Sequence, residues 1–432
     1  MNKKRIAALT LATALLATSI TGCGSTEDKT NSDTISGEIT VLTNRTDIVD
    51  KVFRDEYLPK FNEKYPDVKV TFEALTDYSG DIKIRMNTSD YGDVLLIPDD
   101  VPISELPDFF ESLGSTDELS EKYMFVNEKS YDEKVYGIAQ TGNAQGIVYN
   151  KKVFEGAGIT ELPTTPEDFV ADMQKIKDKY GDEVVPYYTN YAAGWPLTQW
   201  ESDVPCVAGD PDYASNLYNL DAPFAEGEAH YVVYKLMYDL VKNGLVEKDP
   251  TTADWESSKV DLATGKIGTM VLGSWSISQM QEKADDPSDI GYMPFPSNID
   301  GNVYASVGGD YKVGINVNSK NKEAARAWLD WFINESGYAQ ANGGISPVKG
   351  DALPENLSDF TNMGVKLIEN NPAPAGKENL TSDIDNEAQI GLWQDDFKRR
   401  IIEAGLFGEE SFDDIASDLN NKWKTAKEKV TE

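Results

Sequence analysis

Apolar residues recur along this chain in two alternating rhythms, one of period two and one of helical period. Glu38 to Thr43 (EITVLT) is a β-branched run that predicts a strand. From Val49 to Tyr65 the positions Val52, Phe53, Tyr57, Phe61 and Tyr65 keep helical spacing, and Pro66 ends the run. Val68 to Phe72 predicts a second strand and Val94 to Ile97 a third. This order of strand, helix and strand predicts an α/β fold with much parallel sheet. Gly146 to Tyr149 reads as a buried strand, followed by a helix start in TTPEDF: Thr165 caps, Pro166 takes the first helical position, and acids fill the first turn. Gly181 closes that helix after about Tyr180. Further helices are predicted at 227–243, 276–284, 322–334, 386–404 and 412–429, with a strand at 266–272. The chain shows neither an internal repeat nor interior low complexity.

The first residues follow another pattern. Lys3, Lys4 and Arg5 precede an apolar run from Ile6 to Ile20, and small residues lead to Cys23. That is a secretory leader, too short and wrongly flanked for a spanning helix. The cysteine directly after Gly22 resembles the bacterial lipobox, which implies cleavage before Cys23 and lipidation of its thiol. Residues 24–37 are polar and predict a flexible tether. The remaining length, about 410 residues, favours two lobes.

Charge narrows the choice of ligand. The formal charge is −34, and the three basic residues of the leader account for none of the acid excess. Such a field repels nucleic acid and anionic headgroups, and no Lys/Arg cluster offers a pocket for an anion, so neutral ligands fit best. With Cys23 lipidated only Cys206 remains, so no intrachain disulfide is expected. One cysteine and one histidine, His230, leave zinc, haem and iron–sulfur sites almost without ligands, and no metal or cofactor is expected. The acidic runs at 383–387 and 285–289 do not reproduce an EF-hand loop. His230 sits in an amphipathic helix pattern that places it at the surface. GxSxG, P-loop, HExxH and GxGxxG motifs are absent. A glycosidase needs only two carboxylates, which keeps that alternative open in so acidic a chain.

Loops at strand ends are where two-lobed α/β proteins place binding groups. The loop after the first strand is NRTD, and its Asn44, Arg45 and Asp47 suit adjacent sugar hydroxyls; the alternative is that Thr46 or Asp47 only caps the following helix. The next loops carry Asp77 with Tyr78, and Asp99 with Asp100. Trp328, Trp331 and Trp423 fall in helix patterns and are assigned mainly to the core. Trp195 and Trp200 lie in the loop-like YAAGWPLTQW, Trp275 follows Gly273 and Ser274 at a strand end, and Trp393 lies near Gly391 at the start of a late helix. Tryptophans in loops beside carboxylates suit stacking against the C–H face of a sugar ring.

The segments GEITVLTNRTD, FNEKYPDVKVTFE, YGDVLLI, KVYGIAQTGNAQGIVYNKKVFEGAGI, PTTPEDF, LATGKIGTMVLGSWSISQM, IGYMPFP and VGGDYKVGINVNSKNKEAARAWLDWFI occur in this order. Together they resemble the family 1 extracellular solute-binding proteins, the carbohydrate-binding components of bacterial ABC importers. The resemblance implies a periplasmic-binding-protein-like fold of type II topology, two α/β lobes hinged around a sugar. Approximate lobes are 38–142 with 311–355, and 143–310 with 356–432. It also implies ligand roles for Arg45, Asp47, Asp77, Asp99 and Asn143, for Gly309, Asp310 and Tyr311 at the return crossing, and for Trp275 and Trp393 as stacking platforms; Trp195 and Tyr311 extend that aromatic set. Pro98 stands where some maltodextrin-binding relatives show an aromatic, which argues against maltodextrin. The expected protein is a monomeric receptor, not an enzyme, held by Cys23 on the outer face of a single-membrane bacterium. It would capture a neutral sugar, and preferably an oligosaccharide, for an ABC permease. A surface glycoside hydrolase and a receptor for a non-sugar solute are the alternatives.

Overall fold

Gly37–Thr43 pairs in parallel with Val68–Ala74 over seven rungs, and at Val41 with Val94–Ile97, whose four residues are all buried. These are the expected first three strands, in a computed structural model that describes residues 35–76, 78–99, 101–374 and 376–431. Cys23 with its leader and most of its tether, Asp77 and Asp100 lie outside the described residues. The connection after the first strand turns at 44–48 and is then helical, with Val49–Tyr57 wound as a π-helix before Leu58–Lys64 continues as α-helix. Val49, Phe53, Tyr57 and Phe61 are all buried at intervals of four. A strict four-residue repeat drifts off one face of a coil with 3.6 residues per turn, and a wider coil keeps it facing the sheet.

The first sheet is completed from far along the chain. Lys312–Ile315 pairs antiparallel with Val94–Ile97, and Ile138–Ala139 joins the edge of Lys312–Ile315. Its core is aromatic. Trp328, from the helix Lys322–Asn334, lies 5.0 Å from Phe61, 5.1 Å from Phe72 and 6.0 Å from Phe332, centroid to centroid. Trp331 is also buried there, and Trp423 is buried in the second lobe, so all three helical tryptophans serve the core.

The second sheet has the order Val185–Tyr187, Ile267–Val271, Ile147–Asn150, Ile290–Met293. Only its first pair is parallel; Ile147–Asn150 runs antiparallel to both neighbours. Parallel pairing is therefore less extensive than the strand–helix rhythm predicts. Ile147–Asn150 enters the sheet directly from the other lobe, without the helical crossover that a parallel neighbour would require. The helix Pro166–Tyr180 begins as expected, with Thr165 Oγ1 accepting the Asp168 N–H at 3.1 Å and Gly181 at φ 60° beyond its end.

The helix expected at 386–404 is two helices, Leu380–Ala388 and Asp396–Phe407. Gln389 adopts φ 53° and Gly391 φ 72°, and Asp385 Oδ1 accepts the N–H groups of Gly391 and Leu392 at 3.0 and 3.2 Å. That carboxylate stabilises a turn in place of the next helical turn, and the turn presents Trp393.

Between the sheets the chain crosses in extended strands. Gly142–Ala144 pairs antiparallel with the end of Asn302–Gly309, which pairs in parallel with Lys366–Glu369. Gly142 and Ile345 exchange both backbone hydrogen bonds, at 2.7 and 2.8 Å. Three stretches of chain thus meet where one sheet gives way to the other. Trp328→Ala should cost about 3–5 kcal/mol in chemical denaturation, whereas Trp393→Ala, at a side chain 63% exposed, should stay within about 0.5 kcal/mol.

Candidate functional site

A cavity of about 250 Å³ lies where the crossing strands meet, and residues from both sheets' surroundings line it. Asn44 and Arg45 come from the end of the first strand, and Tyr338 and Asn342 from the segment after Lys322–Asn334. Gln140, Thr141, Asn143, Asp310 and Tyr311 come from the crossings, and Ser274, Trp275, Ser278 and Asn356 from the second lobe. The cavity opens into a wider groove of about 630 Å³ that shares Arg45, Ser278, Asn342, Gly343 and Asn356 with it.

Arg45 is fixed before any ligand arrives. Its Nε and Nη2 donate to the two carboxylate oxygens of Asp47 at 2.8 and 2.7 Å, and its Nη1 donates to Asn342 Oδ1 at 2.6 Å and Tyr338 Oη at 3.0 Å. The hydrogen bond to Arg45 holds the Asp47 carboxyl below the usual range, and the same bond raises the guanidinium. Asp47 does not line the cavity; it sets the fork of Arg45. The acceptors, by contrast, are left open. Asn44 Oδ1 and Asn356 Oδ1 are buried with no hydrogen-bond partner in the protein, while Asn356 Nδ2 is committed to the Gly343 carbonyl at 3.0 Å. Among the described residues the Asp310 carboxylate accepts the Tyr311 N–H, at 2.8 Å, and burial raises its pKa, with Asp99 adding to the rise.

Trp275 stands at the end of Ile267–Val271, turned into the cavity by Gly273 and Ser274. A Cβ on Gly273 would lie 2.5 Å from the Trp275 Nε1, so glycine is needed for the indole to fold back over the turn. Trp195 lies 5.8 Å from Trp275, and Trp255 lies 4.9 Å from Trp195 and 6.2 Å from Trp275, which makes a cluster of three. Ser274 Oγ donates to Asn143 Oδ1 at 3.4 Å and accepts the Ala144 N–H at 3.0 Å, which leaves the Asn143 amide nitrogen free for the cavity.

Of the residues singled out in the sequence, the structure brings Asn44, Arg45, Asn143, Trp275, Asp310 and Tyr311 into this cavity. Tyr78 is elsewhere: it is 4% exposed, and its Oη accepts the Leu96 N–H at 2.7 Å inside the first core. Asp99 is exposed and bears on the cavity through its charge on Asp310 rather than as a wall. Trp195 is 39% exposed and backs Trp275. Gly309 has a packing part, since a Cβ there would meet Ala139 at 2.9 Å and Phe125 at 3.0 Å. Trp200 is buried, its Nε1 donating to Tyr187 Oη at 2.9 Å. Trp393 lines a second cavity. His230 is not at the surface as its helix pattern suggests: it is 1% exposed, with Nε2 2.9 Å from Glu201 Oε1 and Nδ1 3.1 Å from Tyr213 Oη. The helix Ala229–Lys242 is covered on several sides, so its polar stripe faces a buried partner instead of water. Sequence reasoning missed Tyr338, Asn342 and Asn356, which follow helices and carry no motif, and Trp255, which reads as an ordinary helix start.

The chain as a whole, beyond this cleft, matches a known family of proteins. The description bacterial extracellular solute-binding protein matches residues 43–339. The chain belongs to that family. Its members are the extracellular solute-binding proteins of bacterial transporters. The solved structure of BlMnBP1 from Bifidobacterium animalis subsp. lactis, an ABC transporter binding protein in complex with mannobiose, is 36% identical with a TM-score of 0.75, covering 91% of this chain and 95% of that one. BlMnBP2 from the same organism, described as manno-oligosaccharide specific and bound to mannotriose, is 35% identical with the same TM-score and coverage. The Multiple sugar-binding protein of Streptococcus mutans is 24% identical over 301 residues, 67% of this chain and 70% of that protein. The two-lobed α/β architecture expected from the sequence is thus the fold of this solute-binding protein.

The loop that carries Trp393 is pinned from below by Lys398, whose Nζ donates to the carbonyls of Leu392 and Gln394 at 2.6 and 2.7 Å. Burial lowers the pKa of Lys398 to about 8. The folded protein therefore sheds this proton near pH 8 while the unfolded chain keeps it to about 10.5, so this group's contribution to stability should rise between those values. The stability of the wild type relative to Lys398→Met in chemical denaturation should increase across that window as pH rises, and parallel curves would contradict the assignment.

Proposed function

We propose that this protein captures a neutral oligosaccharide, preferentially one built from mannose units, and hands it to an ABC permease without chemical change. The open acceptors of the cavity carry the reading. Asn44 Oδ1, Asn356 Oδ1 and the Asp310 carboxylate await donors, while the cation among the cavity walls, Arg45, is already matched by Asp47. A polyhydroxyl ring supplies donors at its rim and a C–H face for Trp275, with no net charge. The mannobiose and mannotriose bound by the two Bifidobacterium proteins support mannose as the unit. An affinity of about 1 μM, worth about −8 kcal/mol, suits such a receptor. Closure of the lobes at the crossings, 38–142 with 311–355 against 143–310 with 356–432, would bring the acceptors together around the sugar.

Hydrolysis is a poorer account. Glycosidases need a pair of carboxyl groups about 5–9.5 Å apart, and among the described residues lining the cavity Asp310 is the one carboxylate. Calorimetric titration with mannobiose and mannotriose, followed by chromatography of the recovered sugar, should show one-to-one binding and intact ligand; released mannose would overturn the receptor reading. Because the ionised Asp310 is the better acceptor, affinity should weaken as pH falls, beginning above the usual aspartate range near 3.9. Asp310→Asn should flatten that profile.

The anchor belongs to the same proposal. Cys23 would carry lipid and hold the receptor on the outer face of a single-membrane cell, acting as a monomer at the end of its tether. Cys23→Ser should lose labelled palmitate and move the protein from the membrane fraction to the medium; unchanged partition would refute the anchor.

A further inference from the structure

Gly309 ends the return crossing strand, and the next residue, Asp310, is the one carboxylate among the described residues lining the first cavity. Two charged side chains that are not among the cavity walls hold the Gly309 backbone. Glu128 Oε1 accepts the Gly309 N–H at 2.7 Å, and Lys312 Nζ donates to the Gly309 carbonyl at 2.8 Å. Glu128 Oε2 and Lys312 Nζ also form an ion pair with each other. Glu128 comes from the short 3₁₀ helix Val126–Lys129, directly after Phe125. Lys312 is buried and opens the first-lobe strand Lys312–Ile315. It lies back over the crossing, since a Cβ on Gly309 would meet its Cε at 3.2 Å.

These bonds fix the peptide plane that leads into Asp310. A peptide unit is planar, so its carbonyl and the N–H of the following residue turn together. The Gly309 carbonyl is held by Lys312, and the Asp310 N–H donates to the Thr141 carbonyl at 2.8 Å. Both ends of the plane are therefore tied, and Asp310 Oδ1, by accepting the Tyr311 N–H, ties the side chain as well. Lys312 also acts through its charge. Burial raises the Asp310 pKa and Asp99 adds to the rise, while Lys312 and Arg45 draw it down. Tyr338 feels the Asp310 charge in turn. Glu128, paired with Lys312, cancels part of the lysine's field, and it faces Glu369 of the strand Lys366–Glu369.

We propose that Glu128 and Lys312 are positioning residues for sugar binding: by gripping both backbone groups of Gly309 they set where the Asp310 carboxylate stands in the cavity. This rests on the reading of that cavity as a sugar site. A hydroxyl reaches an acceptor oxygen at about 2.5–3.0 Å, and the bond weakens steeply when misaligned. An acceptor on a loosely held backbone loses that alignment. A buried ion pair kept only for stability can be replaced by apolar residues of similar volume without loss. This pair differs, because both its charged heads are bonded to the backbone of the residue next to the acceptor.

The test is calorimetric titration of the full-length protein with mannobiose across the acid range and up to neutral pH. Wild type is compared with Lys312→Met and Glu128→Gln, each alone and combined with Asp310→Asn, and melting temperatures report folding. Lys312→Met should weaken mannobiose about tenfold at neutral pH. It should also move the acid loss of affinity to higher pH, because the carboxylate loses a neighbouring cation. Glu128→Gln keeps an oxygen for the Gly309 N–H and should move that loss to lower pH, because Lys312 then acts on Asp310 uncancelled. With Asp310→Asn the profile should stay flat in both. Opposite shifts that vanish with the Asp310 carboxylate are not produced by a pair that merely stabilises the fold. If the folded variants keep the wild-type profile, shift it in the same direction, or shift it without Asp310, this inference falls while the receptor reading stands. If the wild type binds neither mannobiose nor any gluco-, xylo- or galacto-oligosaccharide, the receptor reading falls and takes this one with it. Should Lys312→Met fail to fold, Glu128→Gln decides.

Discussion

Phe125 is wedged against both crossing strands at the point where only glycine leaves it room. A Cβ on Gly142 would come within 2.5 Å of its ring, and one on Gly309 within 3.0 Å of its Cβ. Phe125 is itself held at φ 65°, a conformation that bulky residues rarely adopt and that costs on the order of 1–3 kcal/mol. Its N–H is bonded to the carboxylate of Glu369, and burial raises the pKa of that carboxyl. The strain is stabilised from the neighbouring strand Lys366–Glu369, so two crossing segments and their neighbour depend on one side chain.

The cleft follows a rule of construction. Its cation is matched by the protein before a ligand arrives, while oxygen acceptors, Asp310 among them, are left without a full set of donors. Arg45 is spent on Asp47, Tyr338 and Asn342, and Glu201 on His230 and Tyr234. Asn44 and Asn356 hold the unpartnered positions in the first cavity, and Gln145, Ser306 and Thr381 in the one beside it. An unpaired cation would demand an anionic group from the ligand, whereas an amide or carboxylate oxygen can be met by a ligand hydroxyl. A chain with a formal charge of −34 can in this way present a cleft suited to an uncharged guest.

What the sequence made legible follows from where its signals are local. Strand alternation, the Thr165–Pro166 helix start and the position of Trp275 after a glycine–serine turn are decided within a few residues, and the structure agrees with them. The split of the helix at 386–404 depends on Asp385 reaching the amides of Gly391 and Leu392, a side-chain bond that periodicity does not register. His230 was misplaced because its polar stripe meets Glu201, 29 residues earlier in the chain, and not water. Asn342 and Asn356 reach the cavity only because the third stretch of chain at Ile345 joins the crossing, a long-range pairing with no sequence motif.

Both sides of the cleft are held rigid before a ligand arrives. On the first-lobe side Arg45 is clamped by four hydrogen bonds, so ordering it on binding costs little side-chain entropy. On the second-lobe side Trp275 is braced by Trp195 and Trp255, and the Trp393 turn by Asp385 and Lys398. Large flat surfaces that are already immobile give stacking without an entropic penalty, so the free energy of contact is available for drawing the lobes together. In the proposed receptor a ligand would shift that equilibrium only by what it gains in the closed state, and Asn44 and Asn356, contributed by distant parts of the chain to one cavity, are the unpartnered acceptors through which a sugar would join the two sides.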